Sequence, residues 1–474
     1  MKKQLIRAAR AAWLAAADFR RRRDRFKRYT YGDQWSDIVR EGSRFCSEKE
    51  QISLSGKQPY TNNLIRQLVK TVVGRFRVLA ETRGYYDKAT REYDRQVRLP
   101  ELDARLLEEF LISGMAVQRV GLSRGVENVN PRLFFINAVR DPCCRDMELV
   151  GQCHDMSLPE IYARFGHGDL GRVARLREIF RSQESCGAAM EIGLSDDADF
   201  FTPAPGKCRV IELWTLDSVS RLLCSDPENG EIGYRPVDDL DSLERENSLR
   251  RCDGRPEIEA VPDIQFVWNC RWLSASGCLL DSYPSPYPHG RHPYVLRLYP
   301  LTDGEIHPFV EDVIDQQRYI NRLIVMIDKM MASAAKGVLL FPVDQLPEEL
   351  EWQDVFDTWA RSDGVIPITG RGSTLPQQVV TPTDGVGAYR LLELQMKLFD
   401  NISGVGDALQ GRNIGGTAGA AVYDRQVENA TIALGDLLET FASLIEERNL
   451  LCKRHTSEKH SPKSAPARKR VAGG

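Results

Sequence analysis

Residues 402–430 read ISGVGDALQGRNIGGTAGAAVYDRQVENA, and this stretch organises the rest of the chain. A helical pattern runs into it over 389–402, and an amphipathic pattern continues from it to Leu450. Between them lies a Gly-rich loop of about fifteen residues, a length that compact folds keep for functional or disordered segments. Gly404, Gly406, Gly411, Gly415 and Gly416, with Gly419 just beyond, give its backbone freedom, and Asp407 and Arg412 are the only fixed charges over 403–417. A sparsely charged loop slung between two helices suits a surface that touches something large or moving.

Upstream, residues 307–337 read HPFVEDVIDQQRYINRLIVMIDKMMASAAKG and carry most helix signals. Pro308 fits the first helical position, Glu311 and Asp312 complement the positive end, and Lys336-Gly337 suits the negative end and its cap. Phe309, Val313, Ile320, Ile324, Ile327 and Met331 fall on one stripe at helical spacing. At 1.5 Å per residue such a helix is roughly 40 Å long. Residues 338–381 then form a short module rich in Pro and Gly, including FPVDQLPEEL, DGVIPITGRG and the start of VVTPTDG. The order is long helix, small module, second helix, Gly loop, third helix.

That order resembles the core of a phage portal protein of the podophage type, the ring that joins a viral head to its tail. VEDVIDQQRYINRLIVMIDKMMASAAKGVLLFP (310–342) is similar to the helix with which such chains enter the stem. DNISGVGDALQGRNIGGTAGAAVYDRQVENA (400–430) is similar to the passage from the second stem helix through the tunnel loop to the helix after it. YTYGDQW (29–35), NNLIRQLVKTVVGRFR (62–77), and FFINAVRD (134–141) followed by LVGQCHDMSLPEIYARFG (149–166) complete a likeness spanning 29–450.

The resemblance implies an α+β portal fold. Residues 1–28 are a basic N-terminal helix or arm, 29–306 the wing, 307–337 the first stem helix, 338–381 the clip, and 382–402 the second stem helix. Residues 403–417 are the tunnel loop, 418–451 the helix after it, and 452–474 a disordered basic tail. It also implies a homo-oligomeric ring of about twelve subunits with no cofactor. Such a ring is a channel for DNA packaging and ejection that binds double-stranded DNA without sequence preference. Its expected partners are the terminase large subunit, a tail or head-completion adaptor, the scaffolding protein and the major capsid protein. Its place is the portal vertex of the virion, reached from the host cytoplasm during assembly. In this reading Gly404, Asp407, Gln410, Arg412, Asn413, Gly415 and Gly416 face the DNA. Phe309, Val313, Ile320, Ile324, Ile327 and Met331 meet the neighbouring subunit, because a long helix cannot cover such a stripe within one chain. Related chains commonly continue into crown helices. The expectation here is a portal without a crown, or a reading frame lost near Cys452 in a decayed prophage.

Composition agrees with a large globular chain of 474 residues. The longest apolar runs, GVLLFPV and RLIVMI, fall far short of a membrane span. Arg7 and Arg10 interrupt the N-terminal apolar residues, so that segment does not read as a secretory signal. Eleven cysteines without framework spacing read as reduced thiols of a cytoplasmic compartment. Residues 1–28 carry eleven Lys/Arg against two Asp (+9), and 453–474 carry seven against one Glu (+6). The total of −3 therefore leaves the body near −18. An acidic body with basic ends argues against a main surface that grips DNA and fits a channel through which DNA slides.

Residues 29–130 read as mostly helical, with LDARLLEEFLISGMAVQRV (102–120) the clearest amphipathic stretch. Residues 207–299 are rich in strand patterns such as RVIELWTL, IQFVWNCRWL and PYVLRLY, interrupted by a charged insertion that reads as an exposed loop or short helix. GRNIGGTAG lacks the Gly-Lys-Ser/Thr of a phosphate loop. Cys143-Cys144 and Cys153-His154 lack zinc-ligand spacing and read as an incidental thiol cluster. The alternative to a structural ring is a metal-dependent nuclease using Asp312, Asp315 and Asp328, with Lys329 and His307 too far along the chain to help. In the clip, Trp352, Phe356 and Trp359 stand at helical spacing and are expected mostly to form its core.

Overall fold

The computed structural model describes residues 2–54, 58–86, 98–122, 125–186, 200–336, 338–360, 366–370, 375–379, 385–405, 432 and 434–459. The contacts divide the chain into two compact units, one of Met1–Lys27, Val69–Glu311 and Ala408–Gly474, the other of Arg28–Leu68 and Asp312–Asp407. The family resemblance implies a single wing over 29–306; the contacts group Arg28–Leu68 with the long helix that follows residue 311.

In the first unit a six-stranded antiparallel sheet carries the core. Its path is Leu279–Pro284, Glu259–Ser274, Cys208–Asp226, Leu149–Met156 and Phe134–Ile136, with Glu231–Pro236 paired to the outer end of Cys208–Asp226. Alternate residues of one strand face opposite ways, and both faces are covered here. Trp214, Cys270 and Trp272 pack with Phe165 and Phe180 on one side. Ile211, Leu213 and Leu273 pack with Trp13 and Phe200 on the other. Strand Cys208–Asp226 is therefore buried without interruption over its first seven residues. At Gly151 the ring of Phe135 stands 2.2 Å from where a Cβ would be, so no larger residue fits that crossing.

The expected helix over 102–120 ends early. Helix Leu99–Ser113 stops at Gly114, whose φ of 71° suits glycine as a cap, and the β-branched run after it becomes strand Met115–Gly121. That strand lies between Tyr294–Leu298 and Gly125–Asn128 in a second, three-stranded sheet. Segment 29–130 also contains the hairpin of Ile38–Glu41 and Arg44–Ser47, so it is less helical than its pattern suggests. The charged insertion forms helix Leu240–Cys252.

Two buried charge networks tie this unit together. Glu212, fully buried, accepts from Arg119 of the three-stranded sheet at 2.8 Å, from Trp214 Nε1 at 2.9 Å, and pairs with His154 Nε2 at 2.9 Å. Burial alone would raise its pKa, but Arg119, His154 and Trp214 outweigh that and bring it down to about 2. The second network seats helix Gly435–Lys459. Arg448, wholly buried, pairs with buried Asp103 at 2.5 Å, and Gln118 and Tyr86 complete the shell of that carboxylate at 3.0 and 3.1 Å. Arg297 reaches Glu447 at 2.8 Å, Tyr299 donates to Asp436 at 2.7 Å, and the Phe441 ring meets Phe76 and Phe110.

Breaking either network leaves a buried charge unpaired, so Glu212→Gln and Arg448→Met are each expected to cost about 3–5 kcal/mol in denaturant unfolding. Arg448→Met should also raise amide exchange throughout helix Gly435–Lys459, and an unchanged exchange pattern there contradicts the latch. Stability should fall on acidification in two steps. Burial holds His292 neutral by lowering its pKa from 6.5 to about 3, so below about 6.5 the unfolded chain takes up a proton that the folded chain refuses. The contribution of Glu212 is complete above 4.5 and fades as pH falls toward about 2. Unfolding midpoints of His292→Asn measured against pH should lack the first step.

Candidate functional site

The long helix begins at Glu311, not at Pro308, and runs to Lys336. The backbone N–H of Val310 is committed to Leu111 O at 3.1 Å, which keeps residues 308–310 in a turn and leaves Phe309 half-buried ahead of the helix. Glu311 receives Arg22 at 2.6 Å at the positive end of the helix.

Within the second unit this helix is held by polar side chains. Gln317 Oε1 accepts from the N–H groups of Leu64 and Ile65 at 2.9 and 3.3 Å, while its amide donates to Asn62 O at 2.6 Å. Those N–H groups open helix Leu64–Arg83, so Gln317 caps a helix that its own chain reaches some 250 residues earlier. Asn321, one turn on, donates to Gln34 and accepts from Asn62 N. Glu48, only 3% exposed, draws in both Arg318 and Arg322 at 2.5 Å.

The expected stripe is thereby placed differently. Val313, Ile320 and Ile327 are buried within a single chain, Ile324 is half-buried, and only Met331 of the six is exposed. Val313, Ile320 and Ile327 are thus covered within the single chain. Phe309 lies off the helix altogether. The apolar groups the helix turns outward are Tyr319, Met326 and Met331. A signal was present in the sequence: Gln317 and Asn321 fall among the apolar positions at i+4 spacing, where an amide must find buried partners.

Helix Gly385–Ser403 follows the small module, and Tyr389 Oη approaches Met331 Sδ at 3.1 Å. This helix is strongly amphipathic, yet only Phe399 and Ser403 are buried among its described side chains. Tyr389, Leu394 and Ile402 are each about half exposed. The module is closed by Val338–Leu340 pairing antiparallel with Gln377–Val379. Inside it, buried Gln345 binds Thr369 N and Gly370 N. Trp352 and Phe356 are not its core, while Trp359 is half-buried. Val355 takes the buried position of helix Trp352–Ala360, Trp352 rests edge-on against Phe341, and Trp352 and Phe356 are 48% and 62% exposed. Adjacent helix positions diverge by 100°, so seating Val355 turns Phe356 outward.

The Gly-rich loop is described only at its start. Ser403 Oγ donates to Asp400 O and accepts from Val405 N, and Gly404 at φ 66° ends the helix. Asp407, Gln410, Arg412, Asn413, Gly415 and Gly416 lie outside the described residues. On the far side, helix Gly435–Lys459 extends past Leu451, so residues 452–459 belong to the helix and not to a tail.

Cys153 and His154 alternate along one strand and face opposite ways. Cys153 lies in the core with Trp13, its thiol pushed up to about 11 by burial, and His154 lies against Glu212 and Trp272. They cannot converge with Cys143 and Cys144 on one ion. Asp315 and Asp328 are exposed, and among the described residues no three His, Cys, Asp or Glu side chains are grouped to hold a metal. No described helix is long and apolar enough to cross a membrane.

The family model for the phage P22-like portal protein matches residues 107–446, well over half of the chain. That span takes in both sheets of the first unit, the long helix, the small module, the Gly-rich loop segment and about half of helix Gly435–Lys459. No curated protein matches the chain significantly. With its α+β architecture and this match, the chain belongs to the phage P22-like portal protein family.

Proposed function

We propose that the chain forms the ring at one capsid vertex through which double-stranded DNA is packaged and ejected, with about twelve subunits in the ring. The observation that carries this reading is helix Gly385–Ser403, an amphipathic helix that fully buries only Phe399 among its described apolar side chains and leaves Tyr389, Leu394 and Ile402 exposed within one chain. Together with Tyr319 and Met326 of the long helix, Leu394 and Ile402 supply the surface that a neighbouring subunit covers. Clip residues Trp352 and Phe356 then give the terminase large subunit, and later the tail adaptor, an exposed aromatic ledge. Loop 403–417 faces the axis, where DNA presents a phosphate about every 1.7 Å. One Arg412 per subunit forms a thin positive collar in a protein whose body carries about −18. A few screened contacts hold DNA without arresting it.

Mass photometry of the purified chain at micromolar concentration should show one large closed oligomer. Leu394→Asp and Met326→Asp should reduce it to monomers while the melting temperature of the monomer is kept, because the charge falls on a surface exposed in the free subunit. Monomers alone from the unaltered chain contradict the ring. Arg412→Glu should leave the oligomer intact and impair DNA retention or packaging, more strongly at low salt. Normal packaging by that variant at every salt concentration removes Arg412 from the DNA path.

A further inference from the structure

Strand Glu259–Ser274 pairs residue for residue with Cys208–Asp226, from Val210↔Ser274 to Ser225↔Glu259. On its other side it meets Leu279–Pro284 only between Asn269 and Leu273. Residues 259–266 therefore form an open edge on an arm, 217–266, that Glu231–Pro236 and helix Leu240–Cys252 complete. The helix packs through Leu243 on the face of Leu222 and Cys224, while Tyr234, Leu223 and Val261 share one row on the opposite face.

Successive residues of a strand aim their backbone N–H and C=O to opposite sides, so parity decides which groups reach the edge. Ser285 N donates to Trp268 O at 2.8 Å, from the side of the strand away from Cys208–Asp226. The register continues unshifted to Glu259, so Phe266, Ile264, Pro262 and Ala260 turn their backbone groups to that same open side.

An open edge is a template for another strand, and the sequence makes this one inviting. IQFVW (264–268) carries no charge and is rich in β-branched and aromatic residues, with Ile264 60% and Phe266 68% exposed. Two neighbouring residues spoil the template. Pro262 has no N–H to give. The N–H of Ile264 is taken by Asp263, whose Oδ1 accepts it at 2.8 Å. Tyr234 Oη donates to the other oxygen, Oδ2, at 2.8 Å and steadies the carboxylate. Asp263 stands opposite Arg221 in the register, yet its carboxylate bonds Ile264 and Tyr234. Of the four outward positions only Ala260 and Phe266 keep a donor to offer. They lie six residues, roughly 20 Å, apart, whereas a ladder needs a donor at every second residue.

We propose that Pro262 and Asp263 keep the edge of this arm from pairing with the same edge of a second copy. Two identical edges meet antiparallel about a two-fold axis, an isologous contact that competes with any heterologous assembly. Such pairing is open to the chain whether or not it forms rings. The test compares Pro262→Val/Asp263→Ala, Pro262→Val alone and Tyr234→Phe with the unaltered chain, by light scattering and amide exchange at rising concentration. The double variant should form species of about twice the mass of those the unaltered chain forms, or larger aggregates. Pro262→Val, which leaves Asp263 and Tyr234 as they are, should show the same change at higher concentration. In the associated species the amides of Ile264 and Phe266 should gain protection, and those of Leu222 and Leu243 should stay protected because the arm remains folded. Tyr234→Phe, which leaves the edge blocked, should associate no more than the unaltered chain. Unchanged mass for both Pro262 variants at every concentration overturns the proposal. So does association in which the Ile264 and Phe266 amides exchange freely, or association of Tyr234→Phe as strong as that of the double variant.

Discussion

A guanidinium with no access to water must find every partner inside the protein, and Arg448 does so by pairing with Asp103, far away in the chain. The penalty for burying either charge alone is several kcal/mol, so the pair forms together or not at all. That condition fixes where helix Gly435–Lys459 lies within the first unit. Around the pair, Phe441 and Leu444 supply buried apolar area, but such contacts are indifferent to small slips along the helix. The Arg448–Asp103–Gln118 geometry is not, because a shift of one residue would leave three buried polar groups without partners.

The same division of labour recurs in both units. Apolar area provides the driving force, through Trp214 and Trp272 in one and Val313 and Ile320 in the other. Buried polar groups choose the register: Glu212 between two sheets, Gln317 at the start of helix Leu64–Arg83, Glu48 under two arginines of the long helix. Directional contacts of this kind resist sliding better than apolar ones do.

Much of this was legible in the sequence. The long helix, the small module, the second helix and the last described helix follow from period and punctuation, while the Gly-rich loop beyond Val405 lies outside the described residues. The strand-rich region over 207–299 is equally plain from its β-branched and aromatic runs. What failed has a common cause. An apolar stripe says that something covers Val313, Ile320 and Ile327, but not whether it is the same chain; here it is the same chain. Helical spacing made Trp352 and Phe356 look like core, yet Val355 takes that place in so small a module. Pairings such as Arg448–Asp103 and Gln317–Leu64 leave no periodic trace, since one polar residue in an apolar run names no partner. The arm over 217–266 was visible only as strand and charge; its uncovered face appears once the register sets Tyr234, Leu223 and Val261 in one row.

The central claim, that these subunits close around a DNA channel, is tested most directly by single-particle electron microscopy of the purified full chain. The account predicts closed rings in end view with an open axial hole wide enough for duplex DNA, and helices Glu311–Lys336 and Gly385–Ser403 packed between neighbouring subunits. Compact particles without a hole, open filaments, or rings in which those two helices face only solvent would contradict it.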